Sequence, residues 1–439
     1  MNVGQLEIRG VGDARAAEQM VRCLAAEEGA IGALSADHHV GYSMPIGGAA
    51  AYRNHISPSG VGYDIGCGNK AVKTNILYSD IIANVPYLMD EIARRISFGM
   101  GRNNDEPVDH LVLEAILQAD FTPQRKMIQS ATNQLGTVGS GNHYVDLFVG
   151  SDDHVWIGVH FGSRGFGHKT ASGFLALAEG KEFTDHATDG EMDSPPVLFD
   201  IATDLGQSYI AAMQLAGDYA YAGRDIVCDK VLEILGGTEI DSVHNHHNYA
   251  WLETHFGEDF WVVRKGCTPA WPGQRGFVGA TMAEDSVILE GIPNDAPGLL
   301  ASTVHGAGRV MSRTQAAGKV RRRKRWGCPQ RDCTYVSDVA PGKTNRGGPT
   351  NCPIHGLPVK KFWITERKTE GRIDWQATLD DLKLKGIELR GAAADEAPGA
   401  YKRLSEVLGY HDDTIRVLET LRPIGVAMAG SDTYDPYKD

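Results

Sequence analysis

Six short segments, most of them rich in glycine, constrain the fold of this chain more than any other feature. They are spread over roughly 250 residues, and each carries at least one side chain of the metal-ligand or nucleophile type: GYDIGCGN, GSGNHYVD, VHFGSRGFGH, HNHHNY, RKGCTPA and VHGAGRVMSR. Loops at strand ends are places where a rigid sheet can aim side chains into a cleft. We therefore expect these segments to meet around one site.

The composition is that of an ordinary globular protein. Of the 439 residues, 42% are hydrophobic and 23% are charged, and no long apolar run occurs. The net charge of −13 argues against a surface built throughout for nucleic acid, because phosphate binding depends on Lys and Arg. The start, MNVGQLEIRG, lacks a signal-peptide pattern, so we expect a cytoplasmic protein whose 7 cysteines are thiols, metal ligands or core residues.

Hydrophobic periodicity predicts helices and strands without a regular βαβ repeat. Helices are predicted from Ala14 to Glu28, with a stop at Gly29, and from Asp204 to Leu235, ending at two glycines. The runs VWIGVHF and FWVVRKG predict strands, with glycine clusters beside them. This irregular mixture favours the α+β class over a doubly wound sheet.

A basic run stands out in this acidic chain. From Lys319 to Arg325 the sequence reads KVRRRKR, which is a candidate contact for a phosphate backbone. A solvated helix face or loop would account for the same charges equally well.

A cysteine-rich segment follows the basic run. Four residues form a CxxxxC and a CxxH pair, separated by a polar, glycine-rich loop: Cys328, Cys333, Cys352 and His355. This two-knuckle spacing is typical of a structural zinc site, which would hold together a segment too small and polar to fold on its own core. The alternative is that these residues are reduced surface thiols.

The glycine-rich segments carry the candidate chemistry. Five residues are ligands of the kind that Mn²⁺ or Zn²⁺ accepts: Asp64, Cys67, His143, His160 and His247. A neutral imidazole at His305 could attack the α-phosphorus of a metal-bound nucleotide, while Arg309 offsets charge on the transferred group. Each histidine taken alone is more often a structural residue.

The order and content of these motifs resemble those of the RtcB-type RNA-splicing ligases. The similarity runs from about Val40 to about Pro423, is interrupted by the cysteine-rich segment, and is carried by DIGCGN, GSGNH, HFGSRGFGH, HHNY, RKG, HGAGRVMSR and DEAPGAYK. The resemblance implies an enzyme that joins an RNA 3′-phosphate or 2′,3′-cyclic phosphate end to a 5′-hydroxyl end, using GTP and two manganese ions. It further implies a large single catalytic domain with a small zinc-knuckle insert. Residues 1–318 and 363–439 would form the core, and residues 319–362 the basic segment and the insert.

The same resemblance implies the metal ligands. Cys67 would bridge both manganese ions, with Asp64 and His143 completing one site and His160 and His247 the other. His247 is chosen over its neighbour because the family ligand directly precedes the asparagine.

The nucleotide and RNA contacts are implied in the same way, with His305 as the histidine that becomes guanylylated. The other positions are Arg309 and Lys265 at the nucleotide phosphates or ribose, Asn142 and Asn248 at phosphate, Asp146 at the base edge, Ser286 and Tyr401 in the guanine pocket, and Arg164 at an RNA phosphate.

The chain departs from the family pattern at two functional positions. Asp146 stands where the family usually has Glu, so guanine recognition is expected to be weaker or bridged by water. Met428 and Ala429 stand where the family commonly has Lys, and the next lysine, Lys438, lies in a polar tail. We therefore expect a divergent member that acts in RNA repair or tRNA splicing, in which the insert and the basic segment select the RNA.

Two other functions remain compatible with the sequence. One is a metal-dependent phosphoesterase or nucleotide hydrolase. The other is a zinc-stabilised RNA-binding protein with a vestigial site. No membrane partner is expected.

Overall fold

The computed structural model describes residues 5–188, 192–330, 332–339, 348–430 and 433. The strands are β1 (Leu6–Ile8), β2 (Ile31–His39), β3 (Ile46–Tyr52), β4 (His55–Ile56), β5 (Gly68–Leu77), β6 (Tyr144–Val149), β7 (His154–Phe161), β8 (Phe199–Asp200), β9 (Glu239–His246), β10 (Asn248–His255), β11 (Glu258–Lys265), β12 (Cys267–Pro269), β13 (Arg275–Val278), β14 (Ser286–Gly291), β15 (Ser302–Val304), β16 (Val320–Gly327), β17 (Lys360–Arg367), β18 (Glu388–Ala392) and β19 (Ile415–Gly430). The α-helices are α1 (Ala14–Leu24), α2 (Pro58–Val61), α3 (Tyr78–Ile81), α4 (Val85–Arg95), α5 (Leu111–Gln118), α6 (Thr122–Arg125), α7 (Ile128–Gln134), α8 (Arg164–Ala178), α9 (Asp204–Leu235), α10 (Arg313–Ala317), α11 (Trp375–Leu384) and α12 (Leu404–Gly409).

Two sheets organise the described residues. The larger has eight strands, in the order β13-β14-β19-β6-β7-β5-β9 with β18 beside β19, and the smaller runs β1-β2-β3-β11-β10. Within these two sheets the described strand pairs are antiparallel, except β1–β2 and β18–β19. Because antiparallel pairing without alternating crossover helices defines the α+β class, the predicted fold class is confirmed.

The helix α9 is the central element of the core. It spans 32 residues, and its central residues are buried against β5, β7 and α8. The Thr203 hydroxyl accepts a hydrogen bond from the amide of Gly206 at its start, and Gly236 ends it in the left-handed conformation at φ 69°. The prediction for this helix is confirmed. The first helix is shorter than predicted: α1 ends at Leu24, whereas the prediction extended to Glu28.

The basic run and the cysteine-rich segment form one projecting unit. The strands β16 and β17 pair antiparallel over eight positions, from Val320 opposite Arg367 to Gly327 opposite Lys360. The zinc-knuckle residues lie between these strands, and residues 331 and 340–347 of this segment lie outside the described residues. The paired strands continue past residue 362, where the insert was predicted to end.

Among the described residues, no helix is both long enough and apolar enough to cross a membrane.

Candidate metal centre and nucleotide cavity

The five candidate metal ligands meet at one end of the larger sheet. Asp64 and Cys67 lie in the turn between α2 and β5, and His160 lies near the end of β7, which pairs with β5 on one side and β6 on the other. His143 directly precedes β6, and His247 directly follows β9. Strand pairing therefore brings together side chains that are up to 183 residues apart in the chain.

The ligand atoms are close enough for metal coordination. The sulfur of Cys67 lies 3.4 Å from Nε2 of His160 and 3.7 Å from Nε2 of His143. A carboxylate oxygen of Asp64 lies 3.0 Å from the same His143 nitrogen, and the rings of His160 and His247 are 4.9 Å apart between centroids. Nδ1 of His143 and Nδ1 of His247 are buried and have no hydrogen-bond partner in the described part of the chain. A thiol, three imidazoles and a carboxylate form a donor set that suits a borderline divalent ion.

Burial sets the protonation of this cluster. It lowers the pKa values of His160 and His247 well below the ordinary value, and neighbouring histidines lower them further, so both rings are neutral as a metal requires. Burial and the charge of Asp64 raise the pKa of the Cys67 thiol. Burial opposes ionisation of Asp64, but the hydrogen bond and charge of His143 lower the pKa of Asp64 to about 2. A bound cation would offset the cost of ionising the thiol.

A fixed histidine faces the cluster. The ring of His305 lies 4.8 Å from that of His247 between centroids, directly after β15. Its Nδ1 lies 2.7 Å from an oxygen of Asp37, and its backbone N–H donates to the same oxygen at 3.0 Å. Asp37 is fully buried; burial raises its pKa, yet the charge and hydrogen bonds of His305 hold that pKa below the ordinary value. With Nδ1 donating to the carboxylate, Nε2 carries the free lone pair.

An ionic network forms the wall beside His305. The guanidinium of Arg309 donates to the Tyr401 hydroxyl and to the Asp395 backbone carbonyl, both at 2.8 Å, and lies over the tyrosine ring. The carboxylate of Glu396 accepts from Tyr401 and from Arg313. Because Glu396 is almost completely buried between two arginines, the network holds the wall in one arrangement.

The cluster, His305 and this wall enclose a cavity of about 280 Å³. Six residues predicted to contact the nucleotide line it: Asn142, Asp146, Asn248, Lys265, Arg309 and Tyr401. His247 lines the cavity, whereas the neighbouring His246 points away and donates to the carbonyl of Gly66 at 2.9 Å, as expected for successive residues of an extended segment.

Several of these polar groups are held in place. Nζ of Lys265 donates to the carbonyl of Tyr42, and burial lowers the pKa of this lysine to about 8. The side-chain oxygen of Asn248 accepts from the amide of Gly266 at 2.7 Å. Burial raises the pKa of Asp146 well above its ordinary value, and its Oδ1 is buried without a hydrogen-bond partner among the described residues. A protonated Asp146 can donate a hydrogen bond into the cavity.

Two predicted contacts are not at the cavity wall. The hydroxyl of Ser286 accepts a hydrogen bond from the amide of Ala280 at 2.9 Å and does not line the cavity. Thr281, five residues earlier, lines it, and its buried hydroxyl has no hydrogen-bond partner in the described chain. Arg164 adopts φ 54° at the start of α8 and donates to the Gly99 carbonyl at 2.9 Å, behind the cluster. The motifs identify Ser286 and Arg164 as residues, but the direction of each side chain depends on how the chain around it folds.

Sequence reasoning missed five residues at this site: Asp37, His39, Thr281, Arg313 and Glu396. Glu396 lies inside the matched motif DEAPGAYK, which was a usable signal. Asp37 had none, because its partner is 268 residues away in the chain.

The expected C-terminal lysine has no counterpart at the described cavity wall. Val426 and Met428, on β19, line the cavity on that side. Lys438, suggested as a substitute, lies outside the described residues.

A buried arginine supports the ligand-bearing turns from behind. Arg224, in the middle of α9, is fully buried and donates to the backbone carbonyls of Gly66 at 2.8 Å and Phe161 at 2.6 Å. These carbonyls adjoin Cys67 and His160, so one guanidinium ties together the two segments that carry those ligands.

The zinc-knuckle residues form a second cluster. The ligand atoms of Cys328, Cys333, Cys352 and His355 all lie within 4.8 Å of one another. The sulfur atoms of Cys333 and Cys352 are 3.7 Å apart, and Nδ1 of His355 is 3.7 Å from the sulfur of Cys328. Burial opposes ionisation of Cys352, but backbone N–H groups of His355 and Ile354 lower the pKa of that thiol to about 6. Three thiols and one imidazole at these separations suit a tetrahedral zinc ion.

Fold and cavity together define an α+β protein in which a thiol, imidazole and carboxylate cluster faces a histidine held by a buried aspartate. The family model described as "tRNA-splicing ligase RtcB" matches residues 21–122 and 118–327. The chain belongs to the RtcB family.

Named proteins are similar over much of the chain. The RNA-splicing ligase RtcB of Escherichia coli K12 is 31% identical over 313 residues, which cover 65% of this chain and 75% of that protein. The tRNA-splicing ligase RtcB of Pyrobaculum aerophilum is 31% identical over 357 residues, covering 64% and 73%. The tRNA-splicing ligase RtcB of Thermococcus kodakarensis is 27% identical over 474 residues, covering 89% and 86%.

Proposed function

We propose that this protein is an RNA ligase that joins an RNA 3′-phosphate or 2′,3′-cyclic phosphate end to a 5′-hydroxyl end, with GTP as the energy source. Membership of the RtcB family and the names of the similar proteins support RNA ligation in RNA repair or tRNA splicing. The arrangement of His305, Asp37 and the thiol-imidazole cluster supports the route through a guanylylated histidine.

The cluster fits a pair of manganese ions. Asp64 and His143 would hold one ion, His160 and His247 the other, and Cys67 would bridge them, since its sulfur lies near both His143 and His160. The ions would supply Lewis-acid stabilisation of charge on phosphate oxygens. The buried Nδ1 of His247, which has no hydrogen-bond partner among the described residues, supports this use of the cluster.

His305 is the nucleophile of the first step. Asp37 holds the ring with Nδ1 protonated, so that Nε2 can attack the α-phosphorus of GTP. A nitrogen–phosphorus bond forms, the bond to the bridging oxygen breaks, and pyrophosphate leaves. Lys265 and Arg309 lie at the same cavity and stabilise negative charge on the nucleotide.

The RNA is joined in two further steps. An oxygen of the RNA 3′-phosphate attacks the phosphorus bound to His305, which breaks the nitrogen–phosphorus bond and links GMP to the RNA end. The 5′-hydroxyl oxygen then attacks the 3′-phosphorus, loses its proton, and releases GMP. A 2′,3′-cyclic phosphate is first opened by water to the 3′-phosphate. Activation is required because the unmodified 3′-phosphate would have to expel oxide.

The base end of the cavity supports nucleotide binding with altered recognition. Asp146, Thr281 and Tyr401 line this part of the cavity, while Val426 and Met428 add apolar surface. Asp146 is the candidate contact to the guanine edge, and Thr281 takes the place at the cavity that Ser286 was predicted to occupy.

The single observation that carries the proposal is the hydrogen bond between Nδ1 of His305 and buried Asp37, opposite the metal-type cluster. The test uses two RNA oligonucleotides, one ending in a 3′-phosphate and the other beginning with a 5′-hydroxyl, incubated with protein, Mn²⁺ and GTP. We expect a joined product that requires all three. Cys67→Ala should abolish joining and manganese binding together, because the cluster would lose the sulfur that lies near both His143 and His160.

Lys385→Ala is the control, because Lys385 lies on the surface at the end of α11. It should join RNA at the wild-type rate. GTP hydrolysis or phosphate release without joined RNA would indicate the hydrolase alternative and contradict the proposal.

A further inference from the structure

The hairpin of β16 and β17 carries the densest positive charge in this acidic protein. Five of the eight residues of β16, VRRRKRWG, and three of the eight of β17, KKFWITER, are Lys or Arg, whereas the whole chain has a net charge of −13. Such a local concentration of charge attracts polyanions, even when the whole molecule repels them.

One face of the hairpin arranges lysine and tryptophan in a checkerboard, which we call the Lys–Trp ladder: Lys324, Trp326, Lys361 and Trp363. Lys324 pairs across the strands with Trp363, and Trp326 pairs with Lys361. Residues directly opposite in an antiparallel pair share a face, as do residues two apart along a strand. All four side chains therefore lie on the same face.

The ladder residues contact one another but remain open to solvent. Nζ of Lys324 lies 5.0 Å from the ring centre of Trp363, and Nζ of Lys361 lies 5.1 Å from that of Trp326. Both lysines are exposed, and Trp363 retains 59% of its surface in solvent. This face of the hairpin therefore presents an accessible ring for stacking beside two cations that can contact phosphates.

The cysteine cluster supports the ladder. The backbone carbonyl of Trp326 accepts from the amide of Ser337, which lies within the knuckle segment. Gly348 of the same segment packs so tightly against the indole that a Cβ there would lie 2.7 Å from Nε1 of Trp326. The knuckle thus fixes one indole while the other stays exposed.

The ladder is joined directly to the rim of the cavity. At the base of the hairpin, the amide of Lys368 bonds the carbonyl of Lys319, and the amide of Arg372 bonds the carbonyl of Gln315 in α10. The first residue of α10, Arg313, lines the cavity. At about 3.3 Å per residue, the eight-residue strands extend roughly 26 Å from this rim.

We propose that the Lys–Trp ladder binds single-stranded RNA next to the end being joined, with a base stacked on Trp363 and the neighbouring phosphates on Lys324 and Lys361. This proposal rests on the RNA substrate of the proposed function. Alternating rings and cations suit a flexible single strand, because every base has a face that can stack and every nucleotide carries a phosphate. A duplex hides its base faces, and an acidic peptide offers none.

The test measures binding of a fluorescent single-stranded RNA, with a 5′-hydroxyl and a 3′-phosphate, to the full-length zinc-loaded protein without GTP or Mn²⁺. Fluorescence anisotropy gives the affinity. We expect Trp363→Ala to weaken binding by about tenfold, near the lower end of the effect of losing one stacked base. Trp363→Phe, which keeps an aromatic ring, should restore most of the affinity.

Phe362→Ala is the matched control, because Phe362 is 41% exposed on the adjacent position and faces the opposite side of the hairpin. It should bind RNA as the wild type does. Zinc content, measured for each variant, confirms that the hairpin is folded.

The charge contribution is measured through salt dependence. Lys324→Ala should lower the slope of log affinity against log salt concentration by about 0.7, the value for one phosphate contact on a single strand. Lys385→Ala removes the same charge from a distant exposed site and should leave the slope unchanged.

Three results would overturn the ladder proposal: wild-type affinity in Trp363→Ala, equal losses in Trp363→Ala and Phe362→Ala, or equally effective competition by duplex RNA or polyglutamate. Guanylylation of the wild-type protein, assayed without RNA, separates the two proposals. If guanylylation fails while the variants behave as expected, the ligase proposal fails and the RNA surface stands.

Discussion

At the scale of single residues, Arg224 holds the candidate metal centre together without touching it. Its guanidinium is buried in α9, yet it donates hydrogen bonds to the carbonyls of Gly66 and Phe161 and to the ring of His244. A full positive charge among neutral acceptors is costly to bury. The position near Cys67 gives a reason for its presence, because burial raises the pKa of that thiol, whereas the charge of Arg224 lowers it and so favours the thiolate that a metal would require.

The first prediction concerns this arginine. Arg224→Met removes the two guanidinium hydrogen bonds to the carbonyls of Gly66 and Phe161, so the free energy of unfolding should fall by on the order of 3 kcal/mol. Urea unfolding measures this change. Manganese affinity should fall as well, because the turns that carry Cys67 and His160 lose their common anchor. Unchanged stability together with unchanged manganese affinity would contradict the anchoring role.

The sequence predicts which residues lie at the site, but it does not predict where each side chain points. The types and positions of Cys67, His143 and His247 followed from the motifs. The motifs did not predict that Thr281 lines the cavity in the place expected for Ser286. This position depends on how the turn between β13 and β14 folds back onto the cavity. Arg164 stays a predicted contact to an RNA phosphate, and its guanidinium donates to the carbonyl of Gly99.

At the scale of elements, a buried ion pair joins the smaller sheet to the strand that precedes His305. Arg264 of β11 donates to both oxygens of Glu253 on β10, at 2.7 and 2.9 Å. It also donates to the hydroxyl of Ser302 in β15 and the carbonyl of Leu300. Because β15 ends one residue before His305, this pair stabilises the approach of the nucleophile to the cavity.

The second prediction gives the pH dependence of this pair. Burial raises the pKa of Glu253, but the charge of Arg264 and the hydrogen bond of His255 leave it below the ordinary value. A carboxyl with a lowered folded pKa contributes stability above its unfolded pKa, and this contribution disappears as the pH falls through the folded pKa. Glu253→Gln should therefore cost on the order of 3 kcal/mol at pH 7, where Arg264 loses its charged partner.

Urea unfolding of the wild type and Glu253→Gln across the acid range checks this prediction. The difference between the two proteins should shrink as the pH falls toward the folded pKa of Glu253. A difference that is constant with pH would indicate that the loss comes from packing and not from charge. Glu258→Gln, on the exposed end of β11, is the control and should cost far less.

The third prediction concerns the zinc knuckle. Cys328→Ser removes one of four clustered ligands, so bound zinc should be lost and RNA binding by the hairpin should weaken. Guanylylation of His305 should persist, because the knuckle lies on the hairpin of β16 and β17 and not on the strands that form the cavity. Metal analysis of the purified variant measures the zinc, and unchanged zinc content would mean that the ligand set is different.

At the scale of the whole molecule, the architecture explains why the site is dispersed in the chain. The ends of β5, β6, β7 and β9 meet at one edge of the larger sheet, and the smaller sheet brings Lys265 to the same cavity and Asp37 to His305. Each motif could be recognised locally, because a ligand beside glycines at a strand end is visible in the sequence. The partnership of Asp37 and His305 could not, since it exists only after both sheets have formed.

The predicted α+β class and α9 follow from local signals of the same kind. Thr203 and Gly236 bound α9 by capping, which requires no tertiary information. By contrast, the sequence showed the hairpin of β16 and β17 only as a run of basic residues. Its register, which places Lys324 opposite Trp363, depends on pairing with a strand more than thirty residues away.

The central claim is that His305 accepts GMP covalently, and one measurement tests it most directly. The protein is incubated with Mn²⁺ and GTP labelled at the α-phosphate, without RNA, and then denatured. We expect a labelled protein adduct that is stable in base and labile in acid, as is typical of a phosphoramidate. This adduct should be absent from His305→Ala and strongly reduced in Asp37→Asn. A labelled adduct of equal yield in His305→Ala, or no adduct in the wild type with any nucleotide, would contradict it.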